Sequence, residues 1–300
     1  MKIKKTGIIV LLILVGCIGS LVTWYKYSTA SEKSYHINEH KIVEASKVSS
    51  LKIDTNSINT HVIVQNDKEN IKLYLSGKVE NKKDIYFSSK LDHRRLKVEA
   101  KYQDSFKISK DRTELELKIF VPVQLVNLIV SSLSGDIKIK DINCRTIDIH
   151  TKSGTIDMSG IVAKNDLLLK TSSGNIVIDK SIAGNSKMKT SSGDMMISNV
   201  NTQTLHVESG SGDIDINSEK IKNSINIQTD SGNIYLISQE KPNDIKLDFS
   251  SHTGEVSFVN IDNFKYMIQK ENQVQGVIGS GRASVKVISK SGNLKFSSSK

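Results

Sequence analysis

Apolar and polar residues alternate along most of the chain, and after residue 133 the alternation recurs with a fixed period. In each unit a glycine turn is followed by two apolar residues spaced two apart, such as Ile137 and Ile139. A spacing of two places both side chains on one face of a β-strand. The turn glycines are Gly135, Gly154, Gly174, Gly193, Gly212, Gly232, Gly254 and Gly292. They are separated by 19, 20, 19, 19, 20, 22 and 38 residues, and the last interval equals two periods.

A second strand follows in each unit, with apolar pairs such as Leu167 and Leu169. Between the two strands lies one more apolar residue, which is Ile142, Ile161, Ile182, Val200 or Ile221. Two short strands cannot bury an apolar face alone, whereas stacked units can. The pattern predicts an all-β fold, a parallel β-solenoid of about 8 coils of 19–20 residues over 134–300. Residues 259–282 fit the repeat least, which predicts an irregular coil or an insertion.

The turn residues suggest how each corner is made. Glycine is expected there because it tolerates positive φ. The next residue is often Asp or Asn, as at Asp136 and Asn175, and can hydrogen-bond local backbone as in Asx turns. Hydroxyl residues just before the glycine are expected to stack as a ladder of Thr151, Thr171, Thr190, Ser209 and Thr229.

Residues 48–133 also alternate, but no fixed period links their strands. We interpret them as five or six strands that cover the open end of the solenoid, because a bare terminal coil exposes unpaired backbone and apolar core. Residues 27–47 are polar and aperiodic, which is typical of a tether.

The N-terminus predicts a membrane anchor. Residues 7–25 contain no charged side chain, and a run of 19 residues is long enough to cross a bilayer. Three lysines precede the run, so residues 1–26 are interpreted as a cytoplasmic segment plus a transmembrane helix, with the rest of the chain extracellular. Cys17 ends a lipobox-like sequence, so lipoprotein anchoring at Cys17 and cleavage after Ala30 remain alternatives.

The formal net charge of +10 is concentrated in the first part of the chain. Residues 134–300 contribute only +2, and the one dense basic cluster lies at Arg94, Arg95 and Lys97 with neighbouring lysines. Solvated lysines that protect strand edges from aggregation are one interpretation. Attraction to anionic lipid or to an anionic wall polymer is the other, and nucleic acid is not expected for a domain outside the cell.

Motifs for catalysis or metal binding are largely missing from the sequence. His36 and His40 have the spacing of an inverted zinc-protease motif, but they fall in the expected tether rather than on a helix. No cofactor site is expected, and the recurrent Gly-Asp turns lack the nine-residue period of calcium-binding coils. A polysaccharide-cleaving enzyme remains the alternative, with Asp157 and Asp215 as candidate carboxylates on an outward strand face.

Pro122, the strand Leu128-Ile129-Val130 and the tandem Ser-Gly-Asp-Ile coils resemble a bacterial family of adhesin-like domains of unknown function. Members occur in membrane-anchored proteins of the Lia type, encoded beside envelope-stress regulators. The resemblance covers about residues 48–300 and implies a binding protein of the cell envelope that contacts a wall polymer or another envelope protein. A purely structural or regulatory role beside a stress sensor is a further alternative. The family supplies no functional residues to carry over.

Overall fold

A computed structural model describes residues 34–103, 114–122 and 125–299, and almost all of them lie in or between β-strands. The strands are β1 (Tyr35–Glu44), β2 (Ser50–Thr55), β3 (Asn59–Val64), β4 (Asn70–Val79), β5 (Ile85–Asp92), β6 (Arg95–Tyr102), β7 (Glu114–Val121), β8 (Asn127–Ser132), β9 (Ile137–Lys140), β10 (Asn143–Thr151), β11 (Ile156–Ser159), β12 (Val162–Lys170), β13 (Ile176–Lys189), β14 (Met195–Ser209), β15 (Ile214–Ser218), β16 (Ser224–Thr229), β17 (Ile234–Ser238), β18 (Ile245–Ser251), β19 (Val256–Val259), β20 (Lys265–Lys270), β21 (Gln273–Ile278), β22 (Ala283–Ser289) and β23 (Leu294–Ser298). Short 3₁₀ turns occur at Ala45–Lys47 and Lys82–Asp84. The expected all-β fold is confirmed.

No helix within the described ranges is long and apolar enough to span a membrane. The uncharged run at 7–25 and Cys17 both lie outside those ranges. The predicted anchor and the lipidation alternative therefore stay predictions.

The strands form two parallel ladders that run side by side along the molecule. The first ladder runs in the order β7, β3, β9, β11, β13, β14, β15, β17, β23, β19. The second runs β6, β2, β8, β10, β12, β13, β14, β16, β22, β18. A strand of the second ladder, its turn and the following strand of the first ladder make one layer of the stack. Strands β13 and β14 are long enough to bend and join both ladders.

The hydrophobic core fills the space between the two ladders. Matching repeat positions lie level with each other, so that Ile156 pairs with Ile137 on one side and Ile176 on the other. All three side chains are fully buried, as are most of the apolar pairs that the period of two assigns to the interior. Cys144 lies in the same core, and burial raises the pKa of its thiol to about 12, which makes it a poor nucleophile.

The prediction that Ile182 lies in the interior is wrong. Ile182 is 53% exposed, and the buried residue at that corner is Ser181. Ser181 comes five residues after Ile176, as Ile142 comes five residues after Ile137, whereas Ile182 is one residue further along and points outward. The position in the repeat, rather than the apolar character of the side chain, therefore decides which residue is buried at this corner.

The turn glycines are required for a different reason from the one expected. None of the eight has a positive φ. Instead, a Cβ at Gly193 would lie closer than 3.0 Å to the carbonyl of Gly174, and a Cβ at Gly212 would meet Gly193 in the same way. The glycines stack on one another so closely that no side chain fits between successive layers. Positive φ occurs at the next corner, at Asp141, Gly160, Lys180 and Asn199.

A file of buried hydroxyl side chains forms hydrogen bonds with the glycine turns. The N–H of Gly193 donates to Thr190 Oγ1 at 3.0 Å, and the Thr190 hydroxyl donates to the carbonyl of Gly174 in the layer below at 3.3 Å. The predicted hydroxyl ladder is confirmed, and Ser132, Ser251 and Ser289 extend it.

The Asp and Asn residues after the glycine were expected to bond their own turn, and this is wrong. The N–H of Asp213 donates to Asp194 Oδ1 at 2.9 Å, and the N–H of Asn233 donates to Asp213 Oδ1 at 2.8 Å. Each carboxylate therefore accepts from the next layer. This file of acceptors joins layers together, which explains why Asn can replace Asp.

The layers do not follow the order of the sequence at the C-terminal end. The layer of Gly292 lies between those of Gly232 and Gly254, since β23 pairs with β17 on one side and β19 on the other. The double interval is filled by an antiparallel hairpin, β20–β21, which continues the second ladder from β18. Residues 259–282 thus include a hairpin at the end of the stack rather than a coil.

The N-terminal end is interleaved in the same manner. Strands β2 and β3 lie between the layer of β6 and β7 and the layer of β8 and β9. Antiparallel strands continue the ladders beyond this end, with β4 and β1 following β7 and with β5 following β6. β1 lies inside the segment 27–47 that the sequence predicts as a tether. Only Ile37 of this strand is buried, so it carries little hydrophobic signal.

Candidate functional site

Three lysines from three strands lie side by side near the N-terminal end of the stack. Lys90 on β5 is opposite Lys97 on β6, and Lys97 is level with Lys52 on β2. Directly paired residues of neighbouring strands share one face of the sheet, so these side chains form a row on the solvent side. We call Lys52, Lys90 and Lys97 the lysine row. Like charges in such a row repel one another unless anions lie nearby.

The hairpin turn between β5 and β6 places two arginines at the end of the lysine row. His93 and Arg94 both have positive φ, which is the conformation of a tight two-residue hairpin. The carbonyl of Arg94 accepts hydrogen bonds from the N–H groups of Ser49 and Ser50, which fixes the turn against the start of β2. Arg95 begins β6 level with Ser50. The predicted basic surface of Arg94, Arg95 and Lys97 is therefore one surface.

Carboxylates neutralise only part of this charge. Glu99 Oε1 lies 2.8 Å from Lys97 Nζ, and this bond raises the pKa of Lys97 and lowers that of Glu99. Lys101 Nζ lies 3.6 Å from Asp54 Oδ2. Among the described residues, neither Lys52 nor Lys90 has an ion-pair partner within 4.0 Å. The charge of Lys52 also helps to lower the pKa of Glu99, so this one carboxylate is shared by Lys52 and Lys97 and the row keeps an excess of positive charge for an anion.

Sequence reasoning missed Lys52, because it lies 45 residues before Lys97 in the chain. The interleaving of β2 between β6 and β8 brings it into the row. A signal was present in the alternation of Leu51, Lys52 and Ile53, which makes Lys52 an outward residue.

A second charged cluster lies further along the same face, and it is internally balanced. Glu208 accepts contacts from Lys187, Lys189 and His206 on its own and the neighbouring strand. The two lysines, with His206, hold the pKa of Glu208 at about 2. Because the carboxylate is four-fifths buried among its partners, this cluster joins β13 to β14 and presents little free charge.

The candidate carboxylates of a polysaccharide-cleaving enzyme lie too far apart to act together. Asp157 and Asp215 are separated by Val177 and Met196 along one file of the first ladder. Three strand spacings of about 4.8 Å put them about 14 Å apart, beyond the range of paired glycosidase carboxylates. Burial and the nearby Asp213 and Asp194 raise the pKa of Asp215, and Asp157 Oδ2 pairs with Lys138 Nζ at 3.3 Å.

No cluster of three or more His, Cys, Asp or Glu side chains suited to a metal ion occurs in the part of the chain that the structure describes. His36 and His40 lie on the strand β1, four residues apart, which separates their backbones by about 13 Å. One metal ion cannot bridge them at that spacing. Asp230, which precedes the turn of Gly232 by two residues, pairs with Lys290 at 2.8 Å.

Known proteins provide an independent view of this fold. A search of curated proteins found no significant match. A protein from Bacteroides fragilis NCTC 9343, named "putative adhesin", has a similar crystal structure with a TM-score of 0.52 at 15% identity, over 89% of this chain and 98% of that chain. A protein of the same name from Parabacteroides distasonis ATCC 8503 has a TM-score of 0.44 at 11% identity, over 88% and 98% of the two chains. Identities this low concern the fold alone.

The family comparison covers most of the chain. The profile of the Toastrack DUF4097 family matches residues 48–297, which include both ladders, the lysine row and the hairpin at the C-terminal end. The chain belongs to the Toastrack DUF4097 family.

Proposed function

We propose that this protein is an adhesin-like binding protein of the bacterial cell envelope, held at the membrane by residues 1–26 with its Toastrack domain outside the cell. The domain acts as a β-solenoid, with about 8 repeat coils after residue 134 and further interleaved coils at its ends. Its role is display, because a stiff stack holds outward side chains at fixed spacing close to the membrane. The ligand is an anionic polymer of the wall or envelope.

The lysine row is the observation that carries this proposal. Neither Lys52 nor Lys90 makes an ion pair within 4.0 Å among the described residues, and the backbone ladders of β5, β6 and β2 fix the points at which the three side chains leave the sheet. Because the attachment points of the lysines are fixed, only side-chain freedom is lost when the row binds a chain of anions. By contrast, Lys187 and Lys189 are both neutralised by Glu208, as is expected of lysines that only stabilise the sheet.

The position of the row suits a polymer close to the membrane. Strand β1 begins at Tyr35, ten residues after the uncharged run ends, so a fully extended connection spans about 35 Å at most. β1 and the lysine row both belong to the N-terminal end of the stack. If the anchor is as proposed, this end of the stack stays near the bilayer and meets polymers that lie there.

Replacing the lysine row should weaken binding to cell envelopes. In the full chain, the triple variant Lys52→Gln, Lys90→Gln, Lys97→Gln is expected to bind purified, protein-stripped envelopes about tenfold more weakly than the unaltered protein. Raising the salt concentration should weaken the unaltered protein in the same way, because exposed charges are screened. The measurement is co-sedimentation of detergent-solubilised protein with envelopes over a range of concentrations.

A matched variant separates the row from overall charge. Lys265→Gln, Lys270→Gln, Lys286→Gln removes three exposed lysines from the other end of the stack and should leave binding unchanged. Equal losses in both triple variants, or no binding by the unaltered protein, would show that the lysine row is not the site. The link to envelope stress rests on the family resemblance, and it predicts altered stress signalling when the gene is deleted.

A further inference from the structure

Three aromatic rings lie together on the solvent side of the antiparallel strands at the N-terminal end, on the first ladder rather than the second. His40 on β1 pairs with Tyr74 on β4, and their ring centroids are 6.2 Å apart with planes inclined by 26°. Phe120 on β7 meets the Tyr74 ring edge-on, with centroids 5.7 Å apart. We call His40, Tyr74 and Phe120 the aromatic row.

Packing of the core does not account for the aromatic row. On β4 the buried Leu73 and Leu75 flank Tyr74 in the sequence and so lie on the opposite face. Neither Tyr74 nor Phe120 packs against the hydrophobic core. The rings at the other end of the stack differ, because Phe258 and Phe264 do pack against it. In a chain with only 5% aromatic residues, outward rings in one place indicate a contact outside the core.

Polar side chains surround the rings and form a shallow depression of about 480 Å³. It is lined by Asn38, Gln65, Lys72, Tyr74, Ser76, Lys118 and Phe120. Asn38 and Ser76 face each other across β1 and β4. Within the described residues, neither of these side chains nor the Tyr74 hydroxyl has a hydrogen-bond partner, so all three are available to a ligand.

The charges in the depression are already paired. Lys72 Nζ lies 2.9 Å from Asp67 Oδ2, and Lys118 Nζ lies 2.7 Å from Glu116 Oε2. Each cation has its own carboxylate, in contrast to Lys52 and Lys90 of the lysine row. A ligand that binds through free charge would therefore prefer the lysine row. The aromatic row suits a neutral ligand with both apolar and hydroxyl surfaces.

We propose that the aromatic row binds a glycan chain of pyranose rings carrying hydroxyl or acetamido groups. The C–H face of such a ring is weakly positive and packs against the electron-rich surface of an aromatic side chain, while its hydroxyls bond Asn38, Ser76 and the Tyr74 hydroxyl. Strands β1, β4 and β7 together span about 10 Å, which is enough for two sugar rings. This site rests on the proposed function and adds a second ligand class to it. It lies at the same end of the stack as the lysine row, but on another face.

Aromatic pairs across antiparallel strands also stabilise a sheet by themselves. The test must therefore measure binding as well as stability. The probe is the pentasaccharide of β-1,4-linked N-acetylglucosamine, titrated into the full chain in detergent micelles by isothermal calorimetry. Saturable binding that is insensitive to salt between about 0.05 and 0.5 M is expected, because no free charge takes part.

Variants of the row should separate the two roles. Tyr74→Ala is expected to weaken pentasaccharide binding by about tenfold or more, because ring stacking and a hydroxyl are both lost. Tyr74→Phe keeps the ring and should lose only a few-fold. Tyr235→Ala, at an outward position of β17, is the matched control and should bind as the unaltered protein does. Thermal unfolding of each variant shows whether the sheet itself is intact.

Absence of pentasaccharide binding by the unaltered protein would overturn the glycan site, and so would equal losses in Tyr74→Ala and Tyr235→Ala. If envelopes still bind through the lysine row in that case, the proposed function survives without the glycan site. If pentasaccharide binding depends on Tyr74 but the lysine-row triple variant binds envelopes as well as the unaltered protein does, the glycan site is supported and the anionic ligand is rejected.

Discussion

Replacing Gly193 with alanine is expected to destabilise the domain by about 3–5 kcal/mol, enough to unfold many proteins of this kind. The reason is the spacing of the layers rather than the backbone conformation. A Cβ at this position would lie closer than 3.0 Å to the carbonyl of Gly174. The two turns lead directly into the paired strands β13 and β14, which resist moving apart. Gly212 in turn packs on the carbonyl of Gly193, so a displacement would pass to the next layer.

Urea unfolding of Gly193→Ala, followed by circular dichroism, measures this effect. Ser192→Ala is the control, because the exposed Ser192 occupies the same turn and should change the free energy of unfolding by less than about 0.5 kcal/mol. A cost below about 1 kcal/mol for Gly193→Ala would mean that the layers are not packed glycine on glycine.

Replacing Phe296 with alanine is also expected to cost about 3–5 kcal/mol, although Phe296 is the fifth residue from the C-terminus. Residues so near a chain end are usually cheap to change because termini fray. Phe296 has no exposed surface, since it lies between Leu236 and Phe258 in an interleaved layer. Its removal leaves a cavity inside the stack.

The control for Phe296→Ala is Lys295→Ala, which removes an exposed side chain from the same strand and should be nearly neutral. The free energies of unfolding are compared by urea titration. A loss of less than about 1 kcal/mol at Phe296 would indicate a fraying terminal strand, and the interleaved C-terminal layer would then be incorrect.

The period of the repeat predicts much of this fold because it is a local property. Ile137, Ile156 and Ile176 each follow a glycine by two residues, and that is enough to place all three in the core and in one file. The order of the layers is not local, because every layer offers its neighbour the same backbone groups and similar apolar pairs. The residues around Gly292 therefore do not reveal that its layer lies between those of Gly232 and Gly254 rather than beyond that of Gly254.

The chemistry of the turns was predicted only in part, since a single repeat cannot reveal its contacts with the next. The sequence identifies Thr190 and Gly193 as parts of one corner, and their hydrogen bond is local. The Asp194 carboxylate accepts a hydrogen bond from the N–H of Asp213 in the next layer. Local sequence reasoning would instead pair this carboxylate with an N–H of its own turn. The Cβ clash at Gly193 is likewise a contact between layers, so local reasoning pointed to φ instead.

The two candidate sites were predictable to different degrees. Arg94, Arg95 and Lys97 are neighbours in the sequence, so their basic surface could be predicted. The aromatic row could not, because His40, Tyr74 and Phe120 are brought together only by antiparallel pairing of β1, β4 and β7. β1 itself has only one buried residue, which hides it in a segment that looks like a tether.

The lysine row, which carries the proposed function, depends on the interleaved N-terminal layer, in which β2 separates β6 from β8. Disulfide formation between engineered cysteines tests that order most directly. The experiment uses the full chain with Cys17→Ser, and Cys144 can stay because it is buried. The pair Lys52→Cys and Ile129→Cys joins neighbouring strands about 4.8 Å apart, while Lys97→Cys and Ile129→Cys would have to bridge about 9.6 Å. We expect the first pair to form a disulfide on mild oxidation and the second to remain reduced, and the reverse result would contradict the account.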